Sequence, residues 1–342
     1  MPLADIKFIA EIGVNHNGSD ELVELMTILA AKAGADAIKY QLFSPDHLVS
    51  ASAPLADYQS TNLNSSISQR QMLSEITISE TALRKCKNLC DELGVEFICT
   101  AFDMPSLNFI KEIGVNILKW PSGEINNLPF LEKAASLGLP IIISTGMSDD
   151  TEISEAIDVC ISSGLSNSDI VLMHCTSQYP TPLKDANIFS IPHIKQKFNL
   201  RTGFSDHTLG NQAAILAVAA GSDIFEKHIS LSTLMDGPDH KASLDIAGFE
   251  SYVGAIKDAE KACGKYEKRC FPIERSTKNI ARKSIHLASD ITKGDIFTTE
   301  SLIIQRPGDG IEPKRLDSIL GCRSAKDLKS GHKLDLKDIE EK

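Results

Sequence analysis

The stretch LGLPIIISTGM, residues 137–147, decides the fold. A glycine follows an amphipathic segment, then an apolar run, then a cluster of hydroxyls. A glycine so placed reads as the left-handed residue that closes a helix. An Ile-rich run without polar alternation reads as a strand buried on both faces. The same phrase recurs as AGADAIKYQLF (33–43), LGVEFICTAF (93–102), IGVNILKWPSG (113–123), SGLSNSDIVLMHCTS (163–177) and AGSDIFEKHIS (220–230). Its glycines are Gly34, Gly94, Gly114, Gly138, Gly164 and Gly221. IKFIAEIG (6–13) and LRTGFSDH (200–207) complete a set of eight strands. Helical periodicity lies between them, as in Asp20–Ala33, Glu80–Leu93 and Asn211–Ala220. Eight β/α units in roughly 260 residues is the size of a (β/α)8 TIM barrel. A doubly wound open sheet would need a Gly-rich phosphate loop after an early strand, and the sequence has no GxGxxG.

The barrel is expected over residues 1–263. Residues 264–280, GKYEKRCFPIERSTKNI, read as a linker with neither helix nor strand. Residues 281–342 carry two similar segments, DITKGDI from Asp290 and DLKSGHKL from Asp327, which suggests a duplicated, β-rich domain. So small a unit is marginal alone and should dock on something.

Composition narrows the function. The 342 residues are 42% hydrophobic and 24% charged, enough to bury a full core. A net charge of −11 argues against nucleic-acid binding. No apolar run reaches the ~18 residues of a membrane span. The opening MPLADIKFIAEIG has no basic segment ahead of an apolar one, so no secretory signal is expected. The eight cysteines form no CxxC pair, and reduced thiols suit a cytoplasmic protein. Cys86 and Cys90, four apart on a helix, could face a metal but fit core packing better.

In such a barrel the chemistry sits at the C-terminal ends of the strands. Polar residues gather there: Glu11; Lys39 and Gln41; Thr100, Phe102 and Asp103; Lys119, Ser122 and Glu124; Ser144; His174, Ser177 and Tyr179; Ser205 and His207; Glu226 and His228. Asp239 follows in the next loop. Lysines within apolar runs are the sharpest signal, because an unpaired lysine is almost never buried. Lys39 and Lys119 could snorkel on the outer wall. Turned inward, with Ser122, Ser144, Ser177 and Ser205, they make a site for a phosphate and a carboxylate. His207 and His228 end adjacent strands, about 4.8 Å apart, and could share one metal ion with open positions. Glu124 could be an ion-pair partner or a general base.

Ten segments carry a resemblance to a known family: AEIGVNHNG, KYQLF, TAFD, KWPSGEINN, ISTGMS, HCTSQYPTP, GFSDHTLG, EKHISL, GPDHKASL and QRPGDGI. Together they resemble the sialic acid synthases, over nearly the whole chain. The resemblance implies a barrel followed by an antifreeze-like (SAF, β-clip) domain. It implies condensation of phosphoenolpyruvate with N-acetylmannosamine, or a related 2,4-diacetamido hexose, and water, giving a nonulosonic acid and phosphate. It further implies Mn2+ or Mg2+ on His207 and His228. Phosphoenolpyruvate would lie on Lys39, Thr100, Lys119, Ser122, Ser144, Ser177 and Ser205. Glu11, Gln41, Tyr179 and Asp239 would face the sugar, joined by either Asn62 or Asn64, and Glu124 would handle a proton or water. Arg306 would enter the barrel of a partner subunit in a domain-swapped homodimer. Ser177 stands where neuraminate enzymes tend to have asparagine. A pseudaminate synthase is the alternative within the family. Outside it stand a Schiff-base aldolase using Lys39 or Lys119 and a non-enzymatic carbohydrate- or ice-binding protein.

Overall fold

The structure, a computed structural model, describes residues 2–56, 59–60 and 67–340, so Asn62 and Asn64 lie outside the described residues. Eight parallel strands neighbour one another in chain order: β1 (Phe8–Gly13), β2 (Ala37–Leu42), β3 (Glu96–Ala101), β4 (Leu118–Trp120), β5 (Ile141–Ser144), β6 (Ile170–His174), β7 (Arg201–Asp206) and β8 (Ile224–Ser230). Pairing of β1 with β8 closes the sheet into a barrel. One helix follows each strand: α1 (Asp20–Lys32), α2 (Glu80–Leu93), α3 (Met104–Glu112), α4 (Leu128–Ala135), α5 (Asp150–Ser162), α6 (Ser190–Phe198), α7 (Gln212–Ala219) and α8 (Ile246–Cys263). Among the described residues the short helices Pro45–Leu48 and Gln69–Glu75 lie between β2 and α2, and β9 (Leu244–Asp245) pairs in parallel with the end of β8.

All six glycines of the recurring phrase adopt positive φ, between 69° and 105°, as helix-closing residues should. The opposite helix ends use short polar caps. Ser19 accepts from the Leu22 amide, and Asp149 with Glu152 forms a reciprocal capping box on α5. Apolar outer faces of the strands pack against the helices in one large core. Ile9, Ile98, Ile142 and Ile224 fill the barrel floor, which leaves the polar strand ends as the open side. Cys86 and Cys90 are fully buried in the outer core beside Thr27 and Tyr40, and all eight cysteines are free.

The chain divides into two compact units, Met1–Gly264 and Lys265–Lys342. The expected featureless linker is not featureless: residues Arg275–Ala281 form a helix, α9, after a turn at Pro272–Glu274. Proline supplies the right φ for a first helical position, and Glu274 accepts from the Phe271 amide at 2.8 Å. That local chemistry outweighs the polar composition.

In the second unit β10 (Ser284–Leu287) pairs antiparallel with β11 (Leu302–Gln305), and β12 (Arg323–Ser324) with β13 (Ile339–Glu340). The duplicated segments face each other. Ile291 and Leu328, at equivalent positions, exchange two backbone hydrogen bonds. Asp290 accepts from the Ser330 amide at 2.9 Å, and its counterpart Asp327 from the Lys293 amide at 2.8 Å. Among the described residues no helix is long and apolar enough to cross a membrane.

Candidate active site

Strand alternation builds the site. Residues two apart point to one face, so β2 turns Lys39 and Gln41 inward, β7 and the residue after it Ser205 and His207, and β8 Glu226 and His228. These six, with Glu11, Thr100, Phe102, Ser122, Ser144, Tyr179 and Asp239, line a cavity of about 200 Å³ at the strands' C-terminal ends.

A buried charge cluster forms one wall. Lys39 Nζ lies 2.9 Å from Glu226 Oε1 and 3.5 Å from Glu11 Oε1. Lys119 Nζ, one layer beneath the cavity lining, donates to Ser144 Oγ at 2.6 Å and lies 3.7 Å from Glu226 Oε2. Both lysines therefore point into the barrel and not outward. Gln41 donates to Glu11 at 2.7 Å, and Ser205 to Glu226 at 3.0 Å. Burial favours the neutral form of each group, and the neighbours decide the balance. Glu11 is pushed up to about 7 by burial, against Lys39. Burial also works to raise Glu226, but Lys119 and Lys39 hold it down to about 2. Lys119 is lowered to about 8 by burial, whereas Lys39 is raised because Glu11 and Glu226 outweigh the same penalty. Glu11 Oε2, Glu226 Oε2 and Thr100 Oγ1 are buried without a hydrogen-bond partner.

Next to this cluster, the His207 and His228 rings stand 5.5 Å apart, with Tyr179 at 4.1 Å from His207 and 5.6 Å from His228. Burial lowers His207 to about 4, and burial with His207 beside it lowers His228 well below the usual imidazole range. His207 Nδ1–H donates to the Thr176 carbonyl at 2.8 Å, which leaves Nε2 with its lone pair. His228 Nδ1 has no hydrogen-bond partner and lies 4.0 Å from Asp239 Oδ2. Burial raises Asp239 to about 6, and its Oδ1 is likewise unpartnered. Neutral imidazoles fit a divalent cation: His228 Nδ1 is unpartnered, and His207 Nε2 meets only Ser205 Oγ, at a long 3.4 Å. Among the described residues no three His, Cys, Asp or Glu side chains converge into a ready-made cage. The residues thus suit a two-histidine site whose other positions are open.

Ser122 Oγ accepts from the Gly146 amide at 2.9 Å and lies 3.2 Å from Cys175 Sγ. A Cβ on Gly146 would stand 2.9 Å from both and closer still to Ser177 Oγ, so these hydroxyls gather around a main-chain cradle. Ser177 itself does not line the cavity. Glu124 does not either: it closes the turn Ser122–Glu124, and its carboxylate accepts from Asn127 Nδ2 at 2.7 Å. Arg306, in the second unit, is exposed, and among the described residues its guanidinium makes no ion pair.

Sequence reasoning placed Glu226 on the polar rim without giving it a role, although its spacing of two from His228 was the available signal. It missed Cys175 and the apolar side of the cavity, Val14, Met72, Leu73 and Ile76, which comes from loops and the Gln69–Glu75 helix.

Comparison with known proteins identifies the family. The N,N′-diacetyllegionaminic acid synthase of Legionella pneumophila is 42% identical over 97% of this chain and 94% of its own length. That of Campylobacter jejuni is 38% identical over 94% and 96%. The crystal structure of N-acetylneuraminic acid synthetase from Leptospira borgpetersenii, in complex with citrate, has a TM-score of 0.70 at 30% identity, covering 80% of this chain and 90% of that one. A SAF domain matches residues 282–340 and the NeuB family residues 26–268, so the chain belongs to the NeuB family.

Proposed function

We propose that the chain is a nonulosonic acid synthase that condenses phosphoenolpyruvate with an acetamido sugar and water and releases phosphate. The observation that carries this reading is one cavity lined by Lys39, with Lys119 buried beneath it, and by two neutral histidines. That is an anion site beside a site for a Lewis acid. The two legionaminic acid synthase relatives favour a 2,4-diacetamido hexose as acceptor over N-acetylmannosamine, and so N,N′-diacetyllegionaminate as product.

Lys39 and Lys119, with Thr100, Ser122, Ser144, Ser177 and Ser205, would hold the carboxylate and phosphate of phosphoenolpyruvate. Two buried cations there position and neutralise the anion. Glu11, Gln41, Tyr179, Phe102 and Asp239 would orient the sugar, with the aldehyde toward His207 and His228. Mn2+ or Mg2+ on those histidines would supply Lewis acidity at the aldehyde oxygen. C3 of phosphoenolpyruvate bonds to the aldehyde carbon, water adds at C2, and phosphate leaves by C–O cleavage. Glu124, two residues beyond Ser122, is assigned the water step. The free thiols suit a cytoplasmic setting.

Purified protein with Mn2+ should release phosphate from phosphoenolpyruvate only when an acetamido sugar is present, and faster with the 2,4-diacetamido hexose. Release at the same rate without sugar would overturn the proposal. Borohydride trapping of a pyruvate adduct on Lys39 or Lys119 would favour the aldolase instead.

We also propose that the working unit is a homodimer in which Arg306 of the partner subunit completes the site. Lys39→Ala and Arg306→Ala chains should each be nearly inactive. After subunit exchange half the dimers are mixed, each with one complete site. Activity should then return toward about a quarter of wild type. Demonstrated exchange without recovery would place Arg306 outside the reaction.

A further inference from the structure

A buried ion pair that the chemistry above does not use lies behind the two histidines. Because side chains alternate, Asp206 turns outward between Ser205 and His207, and Lys227 turns outward between Glu226 and His228. The two are register partners on β7 and β8. Lys227 Nζ lies 3.2 Å from Asp206 Oδ2, and both side chains are fully buried. Asp206 Oδ1 accepts from the Thr208 amide at 2.8 Å and from its hydroxyl at 2.7 Å. The Lys227 ammonium donates to the Thr208 carbonyl and sits 5.6 Å over the Tyr252 ring of α8. The residues on both sides of His207 are therefore tied to the residue before His228.

Stability alone is a poor account of this arrangement. Taking two charges out of water is costly, and an apolar pair of equal volume is often as stable or more so. Neither side chain lines the cavity, so neither meets substrate. We propose that Asp206, Lys227 and Thr208 form a positioning strut. It sets the spacing and ring orientation of His207 and His228, and through them the affinity for a divalent cation. The inference rests on the two-histidine metal reading and adds residues that touch neither metal nor substrate. Partners behind metal ligands typically account for about 10–100-fold in affinity.

The test is Mn2+ binding to the full chain, read by electron paramagnetic resonance of the free ion, beside melting of the metal-free protein. Three variants serve: Lys227→Met, Asp206→Asn, and the double Asp206→Asn/Lys227→Met. The double variant removes both charges at similar volume, so it should fold even where Lys227→Met strands a buried carboxylate. Each should weaken Mn2+ binding about 10–100-fold. In the double variant the apparent KM for phosphoenolpyruvate should recover at saturating Mn2+. A merely structural pair would lower melting without moving Mn2+ affinity. A folded double variant that binds Mn2+ within twofold of wild type would overturn the strut. Wild-type protein that binds no Mn2+, and is unmoved by His207→Ala, would overturn the metal reading and the strut with it.

Discussion

Lys119 is charged only while pH stays below its pKa, which burial brings down to about 8. Lys39 is raised by Glu11 and Glu226 and stays charged throughout. The sign follows: as pH rises through about 8, Lys119 loses its proton and its pull on an anion. The KM for phosphoenolpyruvate should therefore climb across that range, and Lys119→Met should raise it at neutral pH and flatten the profile. A flat wild-type KM would contradict the assignment. Gly146 offers a second test. A methyl there would press on Ser122, Cys175 and Ser177, and overpacking costs about 1–3 kcal/mol. Gly146→Ala should therefore lower stability by about 1–3 kcal/mol in urea unfolding and raise that KM, because Ser122 and Ser177 are displaced; an unchanged KM would place those hydroxyls outside the anion site. At this scale the sequence showed which residues crowd the strand ends. Glu226 gains its role only through Lys39 on β2, Lys119 on β4 and Ser205 on β7, which residue spacing within one strand does not reveal. Glu124 follows Ser122 in a tight turn and accepts from Asn127, a contact that its spacing from Ser122 does not reveal.

Elements were more legible, because their signals are local. A glycine and then an apolar run mark six of the strands, the runs at 6–13 and 200–207 complete eight, and closure follows from the number of units; before β7 the left-handed closing residue is Asn199. The Arg275–Ala281 helix was hidden because it buries no residue and so carries no apolar stripe. The antifreeze-like repeat was legible since each copy caps the other through the same aspartate, Asp290 or Asp327. Gly203 tests how tightly elements set the site. Its Cβ would come within 2.8 Å of the Ile224 carbonyl, so β7 and β8 approach there closely. Gly203→Ala should destabilise the chain by about 1–3 kcal/mol in urea unfolding. It should also weaken metal-dependent activity, because those strands carry His207 and His228. Unchanged stability would mean the strands can part without cost.

The molecule as a whole consists of two compact units. Asp338, fully buried in the second unit, is opposed by desolvation, yet Lys326, His332 and the Asp335 amide hold it down to about 2. A carboxylate so depressed contributes stability above its unfolded pKa of about 3.9 and loses it as pH falls through the folded value. Asp338→Asn should lower the melting temperature at neutral pH, and its difference from wild type should vanish as pH falls from about 4 toward 2. A difference independent of pH would mean shape, not charge, matters there. Condensation of both substrates within the barrel is the core of the proposed function. Its most direct test is to supply phosphoenolpyruvate carrying heavy oxygen at the C–O–P bridge, with Mn2+ and a 2,4-diacetamido hexose, and to weigh both products. The expected result is heavy phosphate and a nonulosonic acid in equal amounts, neither forming without the sugar. Light phosphate, or phosphate formed without sugar at the same rate, would contradict it.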